Sequence, residues 1–321
     1  MTDAERIILH HYPMSPFAEK IRLIMGFKGM HWCSVLIPAV MPKPDVVALT
    51  GGYRKTPILQ VGADIYCDSA LVADVIEAHS PLPSLYPAGI AGASRTLAQW
   101  ADSTLFWSVI PYAMQGAGLE HLFDGTAPEA VKAFFEDRKI YRANLPRMRG
   151  PEARASLGLY LERLEDTIGL QEYFFGARPS IADFSIYHCL WFLLRAGPLA
   201  AILEPFLGLT AWRERMRGFG HGTHDQLDGA AAIAIARAGT PLDSCGMDGD
   251  VHGIAHGDRV VIAATDTGTD PIEGELYGVT RGRISIARQD PRAGRVVVHF
   301  PRLGFELRPA GNAGGKSVSD R

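Results

Sequence analysis

The stretch His10-His11-Tyr12-Pro13-Met14-Ser15-Pro16-Phe17-Ala18-Glu19-Lys20-Ile21-Arg22-Leu23 changes its period in the middle, and its reading decides the first domain. Before it, Arg6-Ile7-Ile8-Leu9 is an apolar, β-branched run that reads as a strand. After it, Ile21, Ile24 and Met25 recur at helical spacing, and Gly26 and Gly29 close the segment. Ser15 stands at the junction as an N-cap, with Pro16 at the first helical position, where a missing N–H costs nothing. A strand therefore delivers a hydroxyl to the positive end of a helix, a place suited to an anion such as a thiolate. Capping alone is the common role of such a serine, and the residues that follow decide between the two.

Outward from this stretch, residues 32–37 form a second strand, and 38–52 an irregular loop with a short helix. Residues 57–61 are a third strand, and Gly62-Ala63-Asp64 turns the chain into a short fourth around Ile65-Tyr66. Residues 69–79 are amphipathic, with Leu71, Val72, Val75 and Ile76 on one face. The order βαβαββα is that of a thioredoxin-like domain over residues 1–80, and the proline-rich 80–87 is a linker. From 90 to 240 the strong signals are helical: 91–106, 128–141, 151–168, 184–194 behind the Ser180-x-x-Asp183 capping pattern, 209–217 and 226–238. Beyond Gly239-Thr240-Pro241 the character changes. Residues 257–263, 273–279, 283–287 and 295–300 read as strands separated by turns, which suggests a small antiparallel β-barrel-like domain over 250–310. The residues from Asn312 read as disordered.

The Ser-Pro-Phe-x-x-Lys-x-Arg stretch resembles the N-terminal motif of the glutathione S-transferases, especially their serine classes. There the serine hydroxyl hydrogen-bonds the sulfur of glutathione and holds it as thiolate. Lys55-Thr56-Pro57-Ile58-Leu59 looks like the family's segment ending in a cis-proline, and Asp68-Ser69-Ala70 like its acidic-Ser pair at the start of the third helix. The three motifs occur in the family's order, and the likeness covers about two thirds of the chain. It implies a glutathione-binding thioredoxin-like domain, an all-helical domain and a homodimer; the β-rich segment is outside it.

The resemblance assigns Ser15 as the catalytic hydroxyl. Lowering a thiol pKa by about two units takes roughly 2.7 kcal/mol of preferential thiolate stabilisation, within reach of one hydroxyl and a helix N-terminus. Thr56, before a cis Pro57, would present its backbone to the peptide of glutathione like a free strand edge; an ordinary trans proline opening a strand is the plainer reading. Asp68 suits the γ-glutamyl ammonium and Ser69 with its helix N-terminus the carboxylate, although the pair also caps a helix. Lys55 would reach the glycyl carboxylate, or is simply solvated. Tyr12, Phe106, Trp107, Tyr112 and Met114 are candidates for a second-substrate pocket against apolar walls, although aromatics at helical spacing are more often core.

Composition bounds the rest. Hydrophobic residues make 47% and charged residues 21% of the 321, with a formal net charge of −3, so nothing global favours nucleic acid or an anionic membrane. The polar N-terminus carries no leader pattern, and no run approaches the ~20 apolar residues of a membrane span. The four cysteines are scattered without C-x-x-C or zinc spacing, which fits reduced thiols and a cytoplasmic protein, and no metal is expected. Asp248-x-Asp250-x-His252 fails as a calcium loop, because position twelve is Arg259. His221 and His224 read as turn residues, His188 and Cys189 as core. Seven arginines between 281 and 308 would suit nucleic acid or an acidic partner, but without interleaved stacking aromatics they read as a solvated or intersubunit face. The reading is a glutathione-dependent transferase acting on an electrophilic small molecule, with a non-catalytic binding or scaffold protein as its alternative. A thiol reductase is disfavoured because Ser15, not cysteine, holds the catalytic position.

Overall fold

The computed structural model describes residues 6–142, 150–242, 246–248, 253–266 and 270–310. Strand β1 (Ile7–His11) is buried along its length and leads into α1 (Pro16–Phe27) through Ser15, whose Oγ accepts the Ala18 N–H at 3.2 Å. Then follow β2 (His31–Leu36), α2 (Pro44–Thr50), β3 (Ile58–Val61), β4 (Asp64–Cys67) and α3 (Ser69–His79), the thioredoxin-like order. β2 runs parallel to β1, whereas β3 is antiparallel to β1 and β4 is antiparallel to β3.

The helical part comprises α4 (Ala91–Trp100), a π-helical turn at Ala101–Leu105, α5 (Phe106–Ala113), α6 (Gly116–Leu122), α7 (Pro128–Arg142), α8 (Gly150–Ile168), α9 (Ile181–Leu194), a 3₁₀ turn at Gly197–Leu203 and α10 (Leu207–Arg217). The helix expected over 91–106 thus runs on through a π bulge. The helix expected over 226–238 begins later. Residues Thr223–Gln226 instead form β5, parallel to β2, and α11 (Gly229–Ala238) starts after Asp228, whose carboxylate accepts the Ala231 N–H. β5 is exposed and polar throughout, so no apolar alternation marks it; its place comes from the ladder and from His224 stacked on Trp32.

Among the described residues, the β-rich segment has five strands, β6 (Arg259–Ala264), β7 (Ile272–Val279), β8 (Arg283–Asp290), β9 (Gly294–Pro301) and β10 (Phe305–Pro309). β10, unseen in the sequence, follows the tight turn at Gly304 (φ +85°) and is only five residues long. The segment is antiparallel and curls so that β10 returns to β6. It is not a separate bead. β9 pairs in parallel with β4, Asp64 opposite Val297 and Tyr66 opposite His299, giving one ten-stranded sheet in the order β10-β6-β7-β8-β9-β4-β3-β1-β2-β5. At the seam Asp64 accepts from His299 Nε2 at 2.8 Å, His299 Nδ1 meets Ser285 Oγ at 2.8 Å, and the Tyr66 ring stacks on the imidazole.

Alternation along the strands feeds two cores. Ile7 and Leu9 point with Ile21, Ile24 and Val72 into the core shared with the helical part, including Leu105, Leu161, Phe184 and Trp212. Ile8, Val35, Ile58 and Ile65 point the other way, into a core closed by α2, α11 and the inward side chains Leu276, Ile286, Val298 and Phe300. Each such side chain contributes roughly 1.5–3 kcal/mol on burial. The β-rich segment is therefore held by the same core as the strands that carry the motifs. The tail from Asn312, Asp250, His252 and Cys245 lie outside the described residues.

Candidate functional site

Register brings the motifs to one end of the sheet. His10 lies opposite Ile58, and Ile58 opposite Cys67, so the segment after β1, the Thr56–Pro57 bond before β3 and Asp68 after β4 leave the sheet side by side. Two helix N-termini, of α1 and α3, open at the same end. The Thr56–Pro57 bond is cis.

Ser15 is buried, and its capping bond uses a lone pair of Oγ, leaving the hydroxyl proton for an acceptor. The loop before it is braced from α1. Arg22 donates to Glu19 at 2.6 Å, to the Pro13 carbonyl at 3.1 Å and to His11 Nδ1 at 3.0 Å. That leaves His11 Nε2–H to donate to Ser34 Oγ at 2.9 Å, and burial with the adjacent guanidinium holds the imidazole neutral, its pKa about 3. Burial alone would raise the Glu19 carboxyl; His221, 3.0 Å away, and Arg22 outweigh it and lower it. His221 is thus a hydrogen-bond partner of Glu19 as well as a turn residue. Glu19 and Arg22 of the motif are consumed in shaping its loop.

At α3, Asp68 is the one non-glycine described residue with positive φ (+76°), a strained conformation costing of order 1–3 kcal/mol. Its Oδ1 caps the helix by accepting the Ala70 N–H at 2.8 Å, and Ser69 is buried beside it. Burial raises the Asp68 carboxyl and the like charge of Asp102 adds to this, against the pull of the Ala70 N–H, Lys20 and Lys55. Asp102 comes from the π turn. It accepts from Lys20 Nζ at 2.6 Å and from His188 Nε2 at 2.9 Å, and these partners overcome its burial and bring its pKa down to about 2. π bulges are frequent at functional sites, and this one presents Asp102 to Lys20 of α1.

Beside Lys55, which the sequence singles out, Lys43, Arg54 and Arg138 gather around Thr56 and were not expected. Lys43 is buried and donates to the Arg54 carbonyl and, at 3.3 Å, to Thr56 Oγ; burial, then Arg138, lowers its pKa to about 8. Helix α7 reaches over this corner: Asp137 pairs with Arg54, and Arg138 donates to the Tyr12 hydroxyl at 3.2 Å and the Ala39 carbonyl at 2.9 Å. Lys43 and Arg54 sit in irregular chain, where no periodicity distinguishes a buried cation from a solvated one. Lys55 turns toward the β-rich segment and pairs with Asp266.

The five apolar candidates are divided. Phe106 is buried against Phe17, Trp107 and His188; Tyr112 is buried with its hydroxyl on the Leu199 carbonyl; Trp107 and Met114 pack on the same core. Tyr12 belongs to the opposite core, under Lys43. Phe17, two residues after Ser15, links the cap to Phe106. Burial raises the Cys67 and Cys189 thiols, Cys67 further through Asp68 and Cys189 through Asp102, so neither has the depressed pKa of a reactive cysteine. Among the described residues no three His, Cys, Asp or Glu side chains gather as a metal site, and no helix is long and apolar enough to cross a membrane.

Residues 9–84 match the family model of the glutathione S-transferase N-terminal domain, and 142–215 that of the C-terminal domain. Among solved structures, a GST-like protein from Pseudomonas syringae is 42% identical, the match covering 95% of this chain and 99% of that one with a TM-score of 0.79. A glutathione S-transferase from Rhodospirillum rubrum F11 (19% identity, 66% of this chain, 87% of that one, TM-score 0.51) and the beta-etherase LigF from Sphingobium sp. strain SYK-6 (20%, 66%, 94%, 0.50) share the fold. No curated protein matches the sequence. The chain belongs to the glutathione S-transferase family.

Proposed function

We propose that the protein is a glutathione-dependent transferase with Ser15 as its catalytic hydroxyl. The observation that carries this reading is the Ser15 Oγ fixed as acceptor at the N-terminus of α1, its proton unused, at the sheet end where Thr56, Asp68 and Ser69 also emerge. In this scheme the Ser15 O–H donates to the glutathione sulfur, and the helix dipole adds to the preference for thiolate. The peptide lies along the Thr56 backbone. Asp68 takes the γ-glutamyl ammonium, and Ser69 with the α3 N-terminus takes the carboxylate. Lys43 and Lys55 supply cations for the glycyl end. The thiolate attacks an electrophilic carbon held near Phe106 and Trp107 at the helical side or near Tyr12 at the other; the new C–S bond takes the sulfur lone pair, and the leaving group departs with its electrons. A cytoplasmic homodimer completes the proposal.

Glutathione calorimetry together with conjugation of a chromogenic aryl halide tests it. The wild type should bind and conjugate; Ser15→Ala should still bind but conjugate roughly 30-fold more slowly, about 2 kcal/mol in the transition state. Absence of glutathione binding by the wild type would favour a scaffold role.

A further inference from the structure

Among the described residues, the β-rich segment meets the proposed site at an ion pair. Asp266 stands two residues past Ala264, the end of β6, and Thr265 between them is pinned by its N–H donating to the Gly304 carbonyl at 2.9 Å. Both carboxylate oxygens of Asp266 accept from Lys55 Nζ, at 2.6 and 2.8 Å. Lys55 is 20% exposed and Asp266 59%, so the pair stands at the mouth of the site rather than in the core. It is the one ion pair of Lys55 among the described residues, and it spans 211 positions of sequence. Lys55 adjoins Thr56 and lies close enough to Asp68 to lower its carboxyl. A cation placed to receive a ligand carboxylate thus already holds a carboxylate of the same chain, delivered by a strand locked into the common sheet.

We propose that Asp266 is an internal competitor for Lys55, so that the β-rich segment restrains ligand binding and must release Lys55 when the carboxylate of glutathione arrives. The inference rests on the glutathione reading above. A half-exposed ion pair is weak, so the restraint is small and reversible: ligand affinity is reduced by the fraction of molecules in which Lys55 is occupied. It also makes the segment a specificity element. A ligand whose distal carboxylate is masked gains nothing from Lys55 and does not compete with Asp266.

The test is calorimetry of glutathione and of its glycyl ethyl ester with wild type, Asp266→Asn, Lys55→Met and the double variant, each checked for folding by near-ultraviolet circular dichroism. Asp266→Asn should bind glutathione roughly two- to five-fold more tightly. The gain should vanish for the ester and in the Lys55→Met background. If the wild type binds glutathione and Asp266→Asn binds it no better, or gains equally for the ester, the competitor is overturned while the glutathione reading stands. If none of the proteins binds glutathione, both fall.

Discussion

Helices α1 and α9 both begin at a serine, and the two ends do opposite things with the same chemistry. At α9, Asp183 Oδ2 accepts the Ser180 N–H at 2.8 Å and its hydroxyl at 3.0 Å, while Oδ1 accepts the Phe174 N–H and Trp212 Nε1–H, each at 3.0 Å. Those four donors are matched on one buried carboxylate, and the group is pure architecture. At α1, Ser15 accepts one bond, its neighbours Glu19, Lys20 and Arg22 are matched elsewhere, and a hydroxyl proton is left at a helix N-terminus. What turns a cap into a candidate site is a donor without an internal acceptor, held where a negative charge is welcome.

The comparison breaks most visibly at Asp183. Replacing it by alanine strands four buried donors, and chemical denaturation should show a loss of about 3 kcal/mol, with glutathione affinity of the folded fraction unchanged. Asp102 lies between the two cases, matched by Lys20 and His188 yet partly exposed. Its folded pKa of about 2 lies below the ordinary 3.8, so its stabilisation is fully present above about pH 4 and fades as pH falls toward 2. Between pH 6 and pH 3 it should account for about 1 kcal/mol of lost stability, which Asp102→Asn abolishes. Lys43 gives the smallest effect. With its pKa lowered to about 8, it is a cation below that pH and neutral above it. Binding of S-methylglutathione, which has no thiol to titrate, should weaken a few-fold as pH rises through 8, and this pH step should be missing in Lys43→Met.

The contrast also explains what the chain discloses as text. Period and capping residues carry α1, α3 and α9, because each side chain there answers a local need: Ser15 a bare N–H, Asp68 another, Leu71 and Ile76 a buried face. Four of the five strands of the β-rich segment are visible for the same reason. Their joining to β4 is not, since pairing of β9 with β4 depends on backbone groups that every residue has, and Asp64–His299 is a contact across 235 positions. The same holds for the site. Ser15, Thr56, Asp68 and Ser69 stand at element ends and can be read. Lys20–Asp102, Lys43–Thr56 and Lys55–Asp266 exist only when distant segments meet; the weak local hint was the charged cluster Glu19, Lys20 and Arg22 on a helix whose other residues are apolar or small.

The most direct measurement is the pH titration of the ultraviolet thiolate absorbance of glutathione bound to the wild type and to Ser15→Ala. In the wild type the thiol should ionise about two pH units below free glutathione, and in the variant it should return to within about half a unit of the free value, at the cost of about 1 kcal/mol of stability from the lost cap. The same titration curve for both proteins would contradict the assignment of Ser15.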